Sequence, residues 1–148
     1  MTRNLLIATA ALLVITLGRL WAHNPDPNDP LESACPIFKV ADVEKSMKYY
    51  KDVLGFGEEF KAGTPTDYAG VARGKVTLHL SKDAPGGSDA RVYVLLKIGT
   101  IDKLHEEFKG KGAQIVEPPT DRSYGMREFL VKTPDGQVLI FAAAKQAQ

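Results

Sequence analysis

Length, composition and charge place this sequence among ordinary folded domains. The chain has 148 residues, of which 44% are hydrophobic and 25% are charged, and this size allows one substantial core. The formal net charge is +1, and no basic run alternates with aromatic residues, so we expect no nucleic-acid partner. The single cysteine, Cys35, excludes an intrachain disulfide.

The N-terminal residues 1–22 have the layout of a secretory signal peptide. Arg3 supplies a positive charge, residues 5–18 (LLIATAALLVITLG) are apolar, and Trp21-Ala22 offers a cleavage site. The apolar stretch is shorter than the roughly 20 residues that a membrane span needs. We therefore predict a cleaved signal peptide and a periplasmic or secreted mature protein. An uncleaved membrane anchor and a buried helix are the alternatives, and only the anchor brings the protein to a membrane.

A proline-rich tether is predicted over residues 23–34. Its first part, residues 23–30 (HNPDPNDP), contains three prolines and no apolar side chain that could enter a core. The folded domain is expected to span residues 35–145.

Residues 35–82 predict a strand, a helix and three further strands. The first strand is Cys35–Ala41, and Asp42 is a suitable N-cap for the helix. Gly55 is expected to end that helix, with Phe56 folding back onto its last turn. The apolar face of the helix is formed by Val43, Met47, Tyr50 and Leu54. The three strands are expected at Glu58–Lys61, Tyr68–Arg73 and Lys75–Ser81.

Residues 90–145 repeat this pattern. A strand at Arg91–Ile98 precedes Thr100, which is the candidate N-cap of a second helix. Ile101, Leu104 and Phe108 mark the apolar face of that helix, and His105 is expected to be solvated. The last three strands are expected at Gln114–Glu117, Arg127–Lys132 and Gln137–Ala142, with a turn at Thr133–Gly136 (TPDG) between the last two.

The duplication decides the predicted fold. Two βαβββ modules, residues 35–82 and 90–145, predict an α+β fold. In this fold a curved, half-open, barrel-like sheet carries the helices on its outside. The concave face of the sheet is the natural place for a ligand.

Four segments carry a resemblance to a known family. They are VADVEKSMKYYKDVLGF (40–56), DYAGVARGKVTLHLSKD (67–83), LHEEF (104–108) and GMREFLVKTPDGQVLIF (125–141), and they span essentially all of the predicted domain. These segments resemble the vicinal oxygen chelate (glyoxalase/bleomycin resistance/dioxygenase) superfamily, and most of all its bleomycin-resistance-protein branch. The resemblance implies a small-molecule ligand and a homodimer with pockets shared between chains.

Enzymes of that superfamily hold a divalent metal with one His or Glu from each of four strands. The resemblance places these positions at Cys35, His79, Tyr93 and Ile140. Only His79 is a customary ligand, whereas catalytic zinc sites use three protein ligands and hard metals prefer carboxylates. We therefore expect no metal, no other cofactor and no catalytic residue. A soft-metal site at Cys35 and His79 is the alternative.

Alternation along one strand separates His79 from the core. Val76, Leu78 and Leu80 form the apolar face of this strand, so His79 is expected to point into the concavity. An ordinary strand histidine that bonds a neighbour is the competing interpretation. The other predicted ligand-binding residues are Tyr93, Tyr68, Phe60, Tyr124 and Arg127. For each of them, packing or solvent exposure is the alternative.

The leading functional hypothesis is an exported protein that sequesters a small molecule without metal. The first alternative is a metal-dependent lyase or dioxygenase of the same superfamily. The second is a structural or regulatory module that binds a partner and no ligand. Bleomycin itself is not the expected ligand, because the mature domain is almost neutral and the only tryptophan, Trp21, lies in the predicted signal peptide.

Overall fold

A computed structural model describes Pro30, residues 33–85 and residues 89–145. The predicted signal peptide, and all of the predicted tether except Pro30, Ser33 and Ala34, lie outside the described residues. Residues Cys35–Gln148 form one compact unit. None of the helices in the described part of the chain is long and apolar enough to cross a membrane.

The first module consists of one helix and four strands. Its elements are β1 (Ile37–Lys39), α1 (Val43–Asp52), β2 (Gly57–Ala62), β3 (Tyr68–Arg73) and β4 (Val76–Ser81). Strand β1 pairs in parallel with β4, and the other pairings are antiparallel, which gives the order β1-β4-β3-β2.

The second module repeats this topology. Its elements are β5 (Arg91–Leu95), α2 (Ile101–Gly110), β6 (Gln114–Asp121), β7 (Met126–Lys132) and β8 (Val138–Ala144). The strand order is β5-β8-β7-β6, again with one parallel pair, β5 with β8. The predicted α+β fold of two βαβββ modules is confirmed, and each sheet is open rather than closed into a barrel.

Helix α1 begins and ends where local chemistry predicts. The Asp42 carboxylate accepts a hydrogen bond from the backbone N–H of Lys45 at 2.9 Å. Gly55 follows the helix with a φ of 68°, and the N–H of Phe56 donates to the carbonyl of Tyr50 at 2.9 Å. The Phe56 ring packs edge-on against the Tyr50 ring, so the predicted fold-back of Phe56 is confirmed.

Helix α2 differs from the sequence prediction at two residues. Thr100 precedes the helix, but its hydroxyl donates to the carbonyl of Lys97 at 2.7 Å instead of capping the helix. The expectation that His105 is solvated is wrong, because it is only 8% exposed and lies edge-on to Phe129. His105 comes four residues after the buried Ile101, and this spacing places it on the same helix face.

One hydrophobic core packs the helices against one face of the sheets. It includes Tyr50 of α1, Leu78 and Leu80 of β4, Phe108 of α2 and Phe129 of β7. Because side chains alternate along a strand, the residues between the core residues point to the other face. We call that other face of each sheet the open face. Its residues include Ile37, Tyr68, Gly70 and His79 in the first module, and Tyr93, Leu95, Glu128 and Ile140 in the second.

The turn between β7 and β8 links the two modules. The Asp135 carboxylate accepts hydrogen bonds from the N–H of Ala41, at 3.0 Å, and from the hydroxyl of Ser46. The fully buried Gln137 donates to the carbonyl of Lys39 at 2.7 Å. The turn of the second module therefore holds the start of α1 and the end of β1 in place.

Arg73, the last residue of β3, provides a second link between the modules. Its guanidinium donates to the carbonyl of Leu54 at 2.6 Å and to the carboxylate of Glu107 at 3.0 Å. The same group lies 5.5 Å from the centre of the Phe108 ring. Arg73 thus connects the end of α1 in the first module with α2 in the second.

Candidate functional site

Three aromatic side chains of the first module meet on the open face. Tyr68 Oη lies 2.8 Å from His79 Nδ1, and the ring centres of Phe60 and His79 are 5.1 Å apart. Phe60 also stacks on Tyr68 with a centroid distance of 6.0 Å. His79 and Tyr68 are half-buried and Phe60 is exposed, so the three rings remain accessible. We call Phe60, Tyr68 and His79, all predicted site residues, the His79 cluster.

Strand register explains why these rings meet. Phe60, Gly70, His79 and Ile37 are successive Cα partners across the four strands. Gly70 leaves room for the Phe60 ring, because a Cβ atom added to Gly70 would lie 2.4 Å from Phe60 Cε1. A glycine inside a strand here marks the close approach of an aromatic ring.

A buried carboxylate organises the open face of the second module. Glu128 is only 3% exposed. It accepts hydrogen bonds from the hydroxyls of Tyr93 and Tyr124, the second at 2.9 Å, and from Nε of Arg122 at 3.1 Å. Arg122 also forms an ion pair with Glu117 at 2.9 Å. We call these five residues the Glu128 cluster; it contains two further predicted site residues, Tyr93 and Tyr124.

Burial and hydrogen bonding have opposite effects on the pKa of the Glu128 carboxyl. Burial raises the pKa of its carboxyl, but the hydrogen bonds from Tyr93, Tyr124 and Arg122 outweigh it, and the pKa lies below its usual value. The group is therefore ionised at neutral pH. Burial and the hydrogen bond to this carboxylate raise the pKa of Tyr93 and of Tyr124, so both hydroxyls retain their protons.

Arg127 lies on the opposite face of β7 from Glu128. Its guanidinium pairs with Asp102 at 2.7 Å and with Asp121 at 2.9 Å. The hydrogen bonds from Arg127 lower the pKa of both carboxyls. The three residues line a cavity of about 570 Å³ at the start of α2. The structure therefore places Arg127 away from the His79 and Glu128 clusters.

Two of the four positions that the resemblance assigns to a metal are unsuited to bind one. Ile140 has no donor atom, and the Tyr93 hydroxyl donates to Glu128. Tyr93 and Ile140 are nevertheless Cα partners, so the register brings the expected positions together. Their chemistry, rather than their placement, departs from the metal site of the superfamily's enzymes.

Cys35 is also poorly suited to bind a metal. Its thiol lies 3.5 Å from the carbonyl of Thr77. Burial, followed by the nearby charge of Glu59, raises the pKa of the thiol, and metals bind the thiolate. Within the described residues, no three His, Cys, Asp or Glu side chains are grouped so that they could hold a metal ion. The residues present therefore do not fit the superfamily's metal site.

Sequence reasoning missed Gly70, Arg122 and Glu128. Two of them had a signal in the sequence. Phe129 belongs to the core, so alternation along β7 predicts that Glu128 points to the open face. A glycine within a strand indicates a close contact, as at Gly70. Arg122 lies in the connection between β6 and β7, where no periodic pattern indicates its partners.

A family model and several solved structures match this chain. The model is described as the Glyoxalase/Bleomycin resistance protein/Dioxygenase superfamily, and it matches residues 37–141. None of the curated proteins matches the sequence.

The solved structures share the fold at low sequence identity. TioX from Micromonospora sp. ML1 is 19% identical with a TM-score of 0.66, over 76% of this chain and 99% of that chain. A glyoxalase-related enzyme from Clostridium phytofermentans is 24% identical with a TM-score of 0.62, over 80% of this chain and 99% of that chain. The bleomycin-binding protein of bleomycin-producing Streptomyces verticillus, in complex with copper(II)-bleomycin, is 26% identical with a TM-score of 0.60, over 78% of this chain and 98% of that chain.

Proposed function

Since the chain belongs to the Glyoxalase/Bleomycin resistance protein/Dioxygenase superfamily, we propose that it binds a small molecule on its open face without changing it chemically. The observation that carries the proposal is the His79 cluster. Its three rings contact one another at the surface, and aromatic faces and edges of this kind favour a planar ligand. The hydrogen bond with Tyr68 engages Nδ1 of His79 and leaves Nε2 to bond the ligand.

The similarity to a bleomycin-binding protein supports the binding of a small molecule. The donor chemistry at Cys35, Tyr93 and Ile140 supports binding without a metal. In this proposal the Nε2 atom of His79 bonds the ligand itself. A lyase or dioxygenase would instead need His79 as part of a complete set of metal ligands.

We propose further that two copies of the chain associate. Two large apolar side chains on the open face are strongly exposed: Ile37 at 51% and Leu95 at 71%. Association would remove this surface from water. The ligand pockets would then be shared between two chains. A monomeric mass in sedimentation equilibrium at micromolar concentration would contradict this arrangement.

We propose that residues 1–22 direct export and that the mature protein is periplasmic or secreted. The positive charge of Arg3, the apolar stretch and the small residue at Ala22 support this. N-terminal sequencing of protein from the native host is expected to begin near His23. Detection of the intact chain only in membranes would favour the uncleaved anchor, and intact soluble cytosolic protein would contradict export.

The binding proposal is tested with the protein purified from its host without chelators. We expect a compound to co-purify, and mass spectrometry identifies it. In calorimetric titration with this compound, His79→Ala should weaken affinity about fivefold, because one neutral hydrogen bond contributes about 1 kcal/mol. Phe60→Ala should weaken it as well, since a ring of the cluster is lost.

The matched control is Ile98→Ala. Ile98 is an exposed apolar residue that lies outside the strands, and its replacement should leave affinity unchanged. Equal affinities of the wild type and His79→Ala would contradict the proposed site. Stoichiometric metal in the wild type that is lost together with turnover in His79→Ala would establish the enzyme instead.

A further inference from the structure

The Glu128 cluster differs from the His79 cluster in the direction of its hydrogen bonds. An ionised carboxylate carries no proton and only accepts hydrogen bonds. Both hydroxyl protons, from Tyr93 and Tyr124, are therefore directed at Glu128. The hydroxyl oxygens can still accept a further hydrogen bond, but they have no proton left to donate.

In the His79 cluster, the hydrogen bond between Tyr68 and His79 can run in either direction. The contact between Tyr68 Oη and His79 Nδ1 is satisfied by either tautomer of the imidazole. The His79 cluster can therefore present a donor or an acceptor to a ligand. The tyrosine hydroxyls of the Glu128 cluster can only accept a hydrogen bond from a ligand.

The charge of the Glu128 cluster and the exposure of its two tyrosines also favour a ligand that donates hydrogen bonds. The cluster contains two carboxylates, Glu117 and Glu128, and one guanidinium, Arg122. The carboxylate of Glu128 is buried, whereas Tyr93 is 45% and Tyr124 is 63% exposed. A ligand therefore meets two tyrosine rings and their acceptor oxygens, with the buried carboxylate of Glu128 behind them.

We propose that Glu128 is a positioning residue that orients the Tyr93 and Tyr124 hydroxyls as hydrogen-bond acceptors, so that this part of the open face selects an aromatic compound by its N–H-bearing end. The inference rests on the proposed binding function and adds the polarity of the ligand. Glu128 acts through the two tyrosines, and its own oxygens stay beneath them. A carboxylate placed against the two tyrosine oxygens meets only acceptors there and is rejected.

The test compares two probes that share an indole ring. Tryptamine ends in an ammonium group and indole-3-propionate ends in a carboxylate. We expect the wild-type full chain to bind tryptamine more tightly in calorimetric titration. In Glu128→Gln the side-chain amide can donate to a tyrosine oxygen, which frees a hydroxyl proton for the ligand. The ratio of the two affinities should then fall about tenfold or more, because hydrogen bonds to charged groups are the stronger ones.

A second variant separates orientation from folding. Tyr93→Phe keeps the carboxylate of Glu128 and removes one acceptor, so it should weaken tryptamine and should not weaken indole-3-propionate. Thermal unfolding of both variants checks that they are folded. An unchanged affinity ratio in folded Glu128→Gln, or a wild type that prefers indole-3-propionate or binds neither probe, would overturn the inference.

A readout without ligand isolates the role of Glu128. In the wild type, burial and the hydrogen bonds to Glu128 both raise the pKa of Tyr93 and Tyr124 and so suppress their ionisation at about pH 11, one unit above the ordinary tyrosine pKa of about 10. Glu128→Gln should show more tyrosinate absorbance at that pH, and equal absorbance would overturn the positioning role. Weaker binding by His79→Ala together with an unchanged affinity ratio in Glu128→Gln would refute this inference alone. Equal affinity of wild type and His79→Ala would refute the proposed binding site.

Discussion

Replacement of Arg73 by methionine tests how firmly the two modules are joined. Methionine retains most of the aliphatic stem of Arg73 and removes its guanidinium. Three interactions are lost at once: the hydrogen bond to the carbonyl of the fully buried Leu54, the ion pair with Glu107 and the contact with the Phe108 ring. The first belongs to the first module, and the other two belong to the second.

The expected loss in the free energy of unfolding follows from the three contacts that are removed. A hydrogen bond from a charged donor contributes about 1.5–3 kcal/mol. The side chains of Arg73 and Glu107 are 34% and 32% exposed, so their ion pair adds at most about 1 kcal/mol. The contact with Phe108 adds about 0.5–1 kcal/mol. Because neighbouring contacts are not additive, we expect a loss of about 3 kcal/mol in the free energy of unfolding. Tm should fall by roughly 10 °C.

Urea and thermal denaturation measure this loss, with Arg91→Met as the matched control. Arg91 is an exposed arginine in β5, and its replacement should change the free energy of unfolding by less than about 0.5 kcal/mol. A double-mutant cycle with Glu107→Gln should give a coupling energy of about 0.5–1 kcal/mol. If Arg73→Met loses less than about 1 kcal/mol, or no more than the control, Arg73 does not join the modules in the way described.

Three further predictions concern the open face and the turn between β7 and β8. Gly70→Ala should displace the Phe60 ring, whose Cε1 atom would lie 2.4 Å from the new Cβ, and an unchanged aromatic NMR spectrum would contradict this. Asp135→Ala removes two acceptors that hold Ala41 and Ser46, and it should cost about 1–3 kcal/mol in urea denaturation, whereas a loss under 0.5 kcal/mol would show that the turn is dispensable. Because the pKa of Glu128 is lowered in the folded state, its contribution to stability is complete above its ordinary pKa of about 4.3 and is lost as the pH falls further. Glu128→Gln should therefore lose less stability than the wild type between about pH 5 and pH 3, and identical pH profiles would refute this.

Much of the fold could be predicted because its signals are local. Alternation around Leu78 and Leu80 separates the core from His79, and the spacing of apolar residues defines both helices. The same rules, applied further, would have placed His105 in the core. They would also have separated Arg127, on the core side of β7, from the open face.

Other features depend on neighbours that the sequence does not show. The predicted strand β6 ends at Glu117, directly before Pro118 and Pro119. The strand continues to Asp121 because β6 is at the edge of its sheet, where irregular pairing tolerates proline. The ion pair between Arg73 and Glu107 joins residues of different modules, and no periodic pattern in the sequence predicts this contact.

The position of β8 has a consequence for how the protein is made. It is the last strand of the second module in the chain, yet it lies between β5 and β7. Its parallel pairing with β5, from Arg91 with Val138 onwards, closes a long loop, and such closures slow folding. While the chain is still on the ribosome, β5 and β7 therefore lack the strand with which both of them pair until β8 emerges. During that interval Phe129 has no stacking partner in Phe141, and the nascent second module is exposed to chaperones and proteases.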